Sequence, residues 1–172
     1  MKKKRLFVIL IFTFSLLSLA SCAPGGGPSG PQGEEKTCVM SITCATVLDN
    51  WDKLAKGKEE IIPEGGVILP ETQVALLDGE SAFDVLLRVT KELKIHMEHS
   101  QTPITKISYI EAINNLYEFD CGELSGWMYQ VNGVYPACGS NGYEMQDGDN
   151  LKWVYTCDLG RDIGGDWSSQ NQ

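Results

Sequence analysis

An α+β domain with one helix is the fold class this sequence predicts, and three observations predict it. A segment rich in Val, Ile and Thr, Cys38 to Val47, precedes the helix, and Leu151 to Cys157, with Leu151, Trp153 and Tyr155 on one face, stands near the other end. A single amphipathic stripe runs from Ser81 to Leu93. Two turns, Asn114-Asn115 and Asn132-Gly133, each divide a pair of short apolar runs.

Each element has its own reason. Cys38 to Val47 reads as the first strand. Gly66 to Leu77 reads as a second extended stretch, and Pro70, which cannot donate to a ladder, puts it at a sheet edge. Asp78-Gly79 is a turn. Ser81, with Asp84 three residues on, forms a capping box for a helix whose stripe is Phe83, Leu86, Leu87, Thr90 and Leu93. A strand is expected after Leu93-Lys94-Ile95. Ile107 to Ile113 and Leu116 to Phe119 flank the first Asn turn. Trp127 to Val131 and Val134-Tyr135 flank Asn132-Gly133, the strongest hairpin signal in the chain. Leu151 to Cys157 is the last strand, with Leu151, Trp153 and Tyr155 on one face.

The ends carry a different message. Lys2 to Arg5 are basic, and Leu6 to Leu19 form an apolar run shorter than the roughly 20 residues that span a bilayer. Leu19-Ala20-Ser21-Cys22 follows and resembles a bacterial lipoprotein box, with Cys22 as the residue that takes lipid. The expectation is a signal peptide over 1–21 and a lipidated Gly/Pro-rich tether over 22–36. The folded domain would occupy 37–166, with a tail over 167–172. Acyl chains on Cys22 would be the only hold on the membrane and would display the domain outside the cytoplasm.

Charge excludes one class of partner. The 14 Lys+Arg face 23 Asp+Glu, a net charge of −9, and four of the basic residues fall in the leader. Nucleic acid, which demands a basic footprint, does not fit. With 42% hydrophobic residues the chain is ordinary globular protein of about one domain. A monomer is expected.

Five cysteines remain once Cys22 is set aside: Cys38, Cys44, Cys121, Cys138 and Cys157. Outside the cytoplasm they can pair, and no two have CxxC spacing. Cys38 and Cys44, six residues apart in a strand, would stand about 20 Å apart, too far to bond.

From about Ile107 onwards the chain resembles a known family. The strings Tyr109-Ile110-Glu111-Ala112-Ile113-Asn114-Asn115-Leu116, Ser125-Gly126-Trp127-Met128-Tyr129-Gln130-Val131-Asn132-Gly133 and Trp153-Val154-Tyr155-Thr156-Cys157-Asp158-Leu159-Gly160, with Gly139, Tyr143 and Asp147-Gly148-Asp149 between, are similar to the transcobalamin-like C-terminal domain of bacterial surface lipoproteins. The resemblance implies a β-grasp fold of the soluble-ligand-binding type. One helix would pack on a mixed sheet, with the first and last strands parallel at its centre. It also implies a corrinoid as candidate ligand, because in vertebrate cobalamin carriers this domain forms one side of the corrinoid site. Those carriers complete the site with a large helical barrel, for which this chain has no room, so a partner protein would supply the other side. Under the same fold, Cys44 at the end of the first strand would pair with Cys157 at the end of the last. Cys121 would pair with Cys138, leaving Cys38; other permutations stay open.

Candidate site residues follow. Trp127, Tyr129, Tyr135, Tyr143, Trp153 and Tyr155 concentrate on adjacent strands and one loop. They read either as a stacking platform for a planar ligand or as the inward face of the strands. Asp147 and Asp149 precede the last strand, and Asp158, Asp162 and Asp166 recur every fourth residue among glycines. Hard oxygen ligands in this arrangement suit Ca²⁺, although the spacing is not that of an EF-hand. His96 and His99 flank Glu98 and lack an obvious third ligand. No GxSxG, HExxH or P-loop occurs, so the expectation is a non-catalytic binding module for a small molecule. The alternatives are a surface adhesion domain that contacts protein or glycan, and a Ca-type metal-binding domain.

Overall fold

The computed structural model describes residues 35–165. Cys22, Asp166 and the leader and tail expected above lie outside the described residues, as does all but the end of the tether.

Among the described residues seven strands form two sheets beside one α-helix. In order they are β1 (Thr37–Thr43), β2 (Val67–Ala75), α1 (Ala82–Leu93), β3 (Met97–Gln101), β4 (Ser108–Ile113), β5 (Leu116–Tyr117), β6 (Gly126–Val131) and β7 (Asn150–Thr156). The four-stranded sheet has the order β2-β1-β7-β6, and the three-stranded sheet the order β3-β4-β5. β1 and β7 pair in parallel, Val39 opposite Asn150 and Thr43 opposite Val154, while β2 and β6 add antiparallel on the outside. Central strands are covered on both faces, which is why Met40, Ser41 and Ile42 are consecutively buried, as is β7 from Trp153 to Thr156. β2 takes the edge position that Pro70 demands.

Asn114-Asn115 turns β4 onto β5 as expected, whereas Asn132-Gly133 closes only one bridge, Val131 to Val134: the expected strand Val134-Tyr135 does not form, because β6 takes β7 as its partner. Asn114 and Asn115 have φ of 54° and 62°, and Asn132 and Gly133 have 52° and 79°, the left-handed pair that a tight hairpin requires. The first strand is shorter than its sequence reads. After Thr43 its side-chain oxygen accepts a hydrogen bond from Ala45 N (3.2 Å), and the chain leaves the sheet into a 3₁₀ segment, Ala45–Lys53.

Helix α1 begins at the expected capping box, with Ser81 accepting from Asp84 N and Asp84 accepting from Ser81 N. Its buried stripe is turned from the one read in the sequence. Ala82, Phe83, Val85, Leu86, Val89 and Thr90 are inside, while Leu87 and Leu93 are exposed. The valines supply an apolar line of their own, and Ala82 N donating to Tyr143 O ties that side of the helix to the rest.

One ion pair fastens α1 to the sheet. Arg88 donates to both Glu80 oxygens (2.7 and 2.8 Å) and to Ala75 O at the end of β2 (2.7 Å). The Arg88 hydrogen bond holds the Glu80 carboxyl below its ordinary 4.5. A group with a lowered folded-state pKa stabilises fully above its unfolded value and less as pH falls through the folded one. Glu80→Gln is therefore expected to melt below the parent at neutral pH. The difference should close as pH drops below about 4.5, which thermal melts across the acid range would read out; a gap constant down to pH 2 would contradict the assignment.

Candidate ligand groove

Most of the aromatic residues singled out in the sequence are core. Trp153 is 2% exposed and Tyr155 fully buried. The Tyr155 hydroxyl lies within hydrogen-bond distance of Tyr117 O (2.6 Å) and Ser125 Oγ (2.9 Å). Trp127 is buried edge-on to Tyr155, ring centres 5.1 Å apart, and its Nε1–H donates to Leu116 O at 2.9 Å. Tyr135, also buried, accepts from Gln130 and donates to Ile163 O. Tyr129 and Tyr143 are half-buried, with ring centres 6.4 Å apart, and the Tyr129 hydroxyl donates to Cys138 O. β6 and β7 carry Trp127, Trp153 and Tyr155 into the core, and Tyr135 is buried from the turn that follows β6.

The exposed apolar surface stands beside them. Two turns meet there, one after β5 and one after β7, joined by Leu159 N donating to Leu124 O at 2.9 Å. The first is shaped by Asp120, which accepts from Tyr117 N, and by Ser125 Oγ, which accepts from Cys121 N. The second winds about Thr156: its hydroxyl accepts from Asp158 N and Gly160 N and donates to Asp162, which also accepts from Cys157 N (2.7 Å). That winding holds Leu159 at φ 49°, and the first turn holds Phe119 at φ 67°. A left-handed backbone is unfavourable for such residues by about 1–2 kcal/mol. Both side chains are nevertheless put outside, Phe119 60% and Leu159 56% exposed.

Between them lies a groove of about 450 Å³, floored by Gly126, Trp127 and Met128 of β6 and flanked by Tyr109 of β4. Glu123 and Arg161 stand on its polar rim. A smaller cavity of about 220 Å³ continues past Tyr109, Trp127 and Met128 to Tyr129, Cys138 and Trp153. The Trp153 indole N–H is buried and, among the described residues, has no hydrogen-bond partner. Trp127, Tyr129 and Trp153 thus touch the two cavities mainly as walls. Tyr135, Tyr143 and Tyr155 line neither.

Sequence reasoning missed Tyr109, Phe119, Leu124, Met128 and Leu159. A signal was there: Phe119 precedes Asp120-Cys121-Gly122, and Leu159 sits between Asp158 and Gly160. Large apolar residues in turns that favour Gly or Asn are out of place unless something outside uses them.

The acidic residues do other work. Asp158 pairs with Arg161, whose hydrogen bond lowers its pKa. Asp162 spends both oxygens inside the turn. Asp147 accepts from Thr37 N, and Asp149 from Asn132 and Gln146. Among the described residues no three His, Cys, Asp or Glu side chains gather as a metal site. His96 uses both ring nitrogens, on Glu98 (3.0 Å) and Asn115 N (3.3 Å), while His99 packs on Phe83 with ring centres 4.9 Å apart.

All five described cysteines carry free thiols. The parallel ladder ends with Thr43 opposite Val154, and Thr46 Oγ1 then donates to Tyr155 O (2.6 Å) as the chain leaves the sheet. Cys138 is exposed beside Tyr129, while Cys121 is buried beneath the first turn. Burial pushes the Cys38 and Cys44 thiols up to about 11.

Comparisons with known proteins bear on this geometry as follows. A family model described as a domain of unknown function, DUF4430, matches residues 79–157. The match takes in α1 and β3 through β7, the stretch that holds most of the transcobalamin-like strings, and leaves out β1 and β2. The crystal structure of haptocorrin in complex with Cbi is 17% identical with a TM-score of 0.46, over 76% of this chain and 28% of that one. A Ruminococcus gnavus ATCC 29149 structure described as a "putative metal binding protein" is 13% identical with a TM-score of 0.41, over 71% of this chain and 97% of that one. This chain therefore spans little more than a quarter of the haptocorrin chain. At these scores neither likeness bears on ligand or mechanism. No curated protein matches.

Proposed function

We propose that the chain is a non-catalytic binding module, held outside the cytoplasm by lipid on Cys22, that receives a small and largely apolar organic ligand in the groove between the two turns. The observation that carries this reading is the exposure of Phe119 and Leu159 on left-handed backbone around an apolar floor. Its volume of about 450 Å³ falls within the roughly 300–1,000 Å³ of small-molecule sites. A corrinoid is the candidate that the transcobalamin-like motifs and a β-grasp arrangement of α1 on the sheet would imply. A corrinoid is larger than such a groove encloses, so it would rest one face on Phe119 and Leu159 while a partner protein covers the other.

Calorimetric titration of the folded chain with cyanocobalamin and cobinamide tests this. Saturable binding is expected, weakened at least tenfold by Phe119→Ser together with Leu159→Ser. Those surface replacements leave the core untouched. No saturation up to millimolar corrinoid would remove the corrinoid from the reading. A groove that also fails to take up an apolar fluorescent probe would remove the ligand site itself.

A further inference from the structure

Two buried thiols meet under the groove. Cys121 is fully buried and Cys157 is 5% exposed. The chain about each is tied to the same turn of the 45–53 segment. The Cys121 thiol donates to Asn50 O at 3.5 Å, Asn50 Nδ2 donates to Thr46 O at 2.9 Å, and Thr46 Oγ1 donates to Tyr155 O, two residues before Cys157, at 2.6 Å. The backbones are pinned independently, Cys121 N on Ser125 Oγ (3.1 Å) and Cys157 N on Asp162 (2.7 Å). The turns that hold them are joined directly, Leu159 N donating to Leu124 O (2.9 Å) and the Tyr155 hydroxyl meeting the Ser125 Oγ that holds Cys121 N (2.9 Å), and each thiol shifts the other's titration.

Among the described residues the other cysteines have no such neighbour. Cys38 is buried within β1 opposite Val74, Cys44 is buried against the 66 turn, and Cys138 stands exposed on the Tyr129 hydroxyl.

We propose that Cys121 and Cys157 are the site of an intramolecular disulfide, made by a disulfide-class oxidant such as oxidised glutathione or a dithiol oxidoreductase. Each thiol gives up its hydrogen and one S–S bond forms between Cys121 and Cys157. The two protons and two electrons pass to the oxidant, whose own S–S bond becomes two thiols. Burial raises both thiols above their ordinary value, so thiolate is scarce in the finished fold and the bond is laid down as the chain folds. The cross-link joins the turn that bears Phe119 and Leu124 to the turn that bears Leu159. It would hold the two walls of the groove at a fixed separation. The pairing itself does not depend on what the groove binds.

The test is oxidative refolding of the full chain from guanidinium in a glutathione buffer, followed by alkylation and peptide mapping without reductant. The expected result is a single internal cross-link, a peptide containing Cys121 joined to one containing Cys157, with Cys22, Cys38, Cys44 and Cys138 alkylated. Reduction should then lower the Tm by roughly 10 °C. Cys138→Ser, which removes the one exposed thiol among the described residues, should leave the map unchanged. A cross-link from Cys44 to Cys157 or from Cys121 to Cys138 would overturn the proposal. So would alkylation of both Cys121 and Cys157 in chain that has refolded.

Discussion

Gly66→Ala is expected to destabilise the fold by about 3 kcal/mol, while Gly65→Ala next to it costs about 1 kcal/mol. Both glycines have φ of 67°, so an alanine at either meets the same left-handed penalty. Only at Gly66 does the added Cβ find no room. It would lie 2.5 Å from Ala45 Cα and 2.6 Å from Ala45 N, whereas at Gly65 nothing stands within 4 Å. The obstruction is backbone, so no rotamer relieves it. Gly66 O also accepts from Cys44 N (2.7 Å) and Thr43 Oγ1 (3.0 Å), the contacts that end β1, and any retreat of residue 66 lengthens them. Chemical denaturation of the two variants side by side separates collision from backbone strain. Equal losses would mean that the 45–66 contact gives way freely.

Trp153→Ala is expected to cost about 3–5 kcal/mol, enough to leave much of the chain unfolded at 37 °C. Its ring is almost wholly buried beside Tyr129, ring centres 5.5 Å apart, on a strand covered on both faces. Phenylalanine distinguishes its role from that of Trp127. Trp127→Phe gives up volume and also the hydrogen bond to the Leu116 carbonyl, whereas Trp153→Phe gives up volume alone. Trp127→Phe should accordingly be the more damaging of the two by about 1 kcal/mol, read from paired denaturation curves. The opposite order would mean that the Trp153 N–H has an acceptor in solution.

The sequence made the individual elements legible wherever local chemistry decides them. Ser81 and Asp84 cap a helix, Asn114-Asn115 and Asn132-Gly133 turn the chain, and Pro70 sits at an edge, because each of these is settled within four residues of chain. The buried stripe of α1 was less legible: Val85 and Leu87 are equally apolar on paper, and only packing tells which faces inward. The end of β1 was not legible, because a Thr-Cys-Ala-Thr-Val run suits a strand until Thr43 caps the turn that removes it. The candidate site was the least legible. Aromatic content pointed to Trp153 and Tyr155, which strand alternation sends into the core. The groove takes its exposed side chains from turns whose backbone no periodicity describes.

The parallel ladder of β1 and β7 has a consequence for the order of events in making this protein. Val39 waits for Asn150, so the innermost seam of the sheet joins almost the first described strand residue to one of the last. A chain delivered from its N-terminus, by ribosome or by export channel, can form the β1–β2 hairpin and α1 early, but it has nothing to lay against the other side of β1 until β7 arrives. Contacts so distant along the chain slow folding and keep an apolar strand edge bare in the meantime. The 79–157 segment made alone would lack β1, and would leave β7 as an open edge ready to pair with its neighbours.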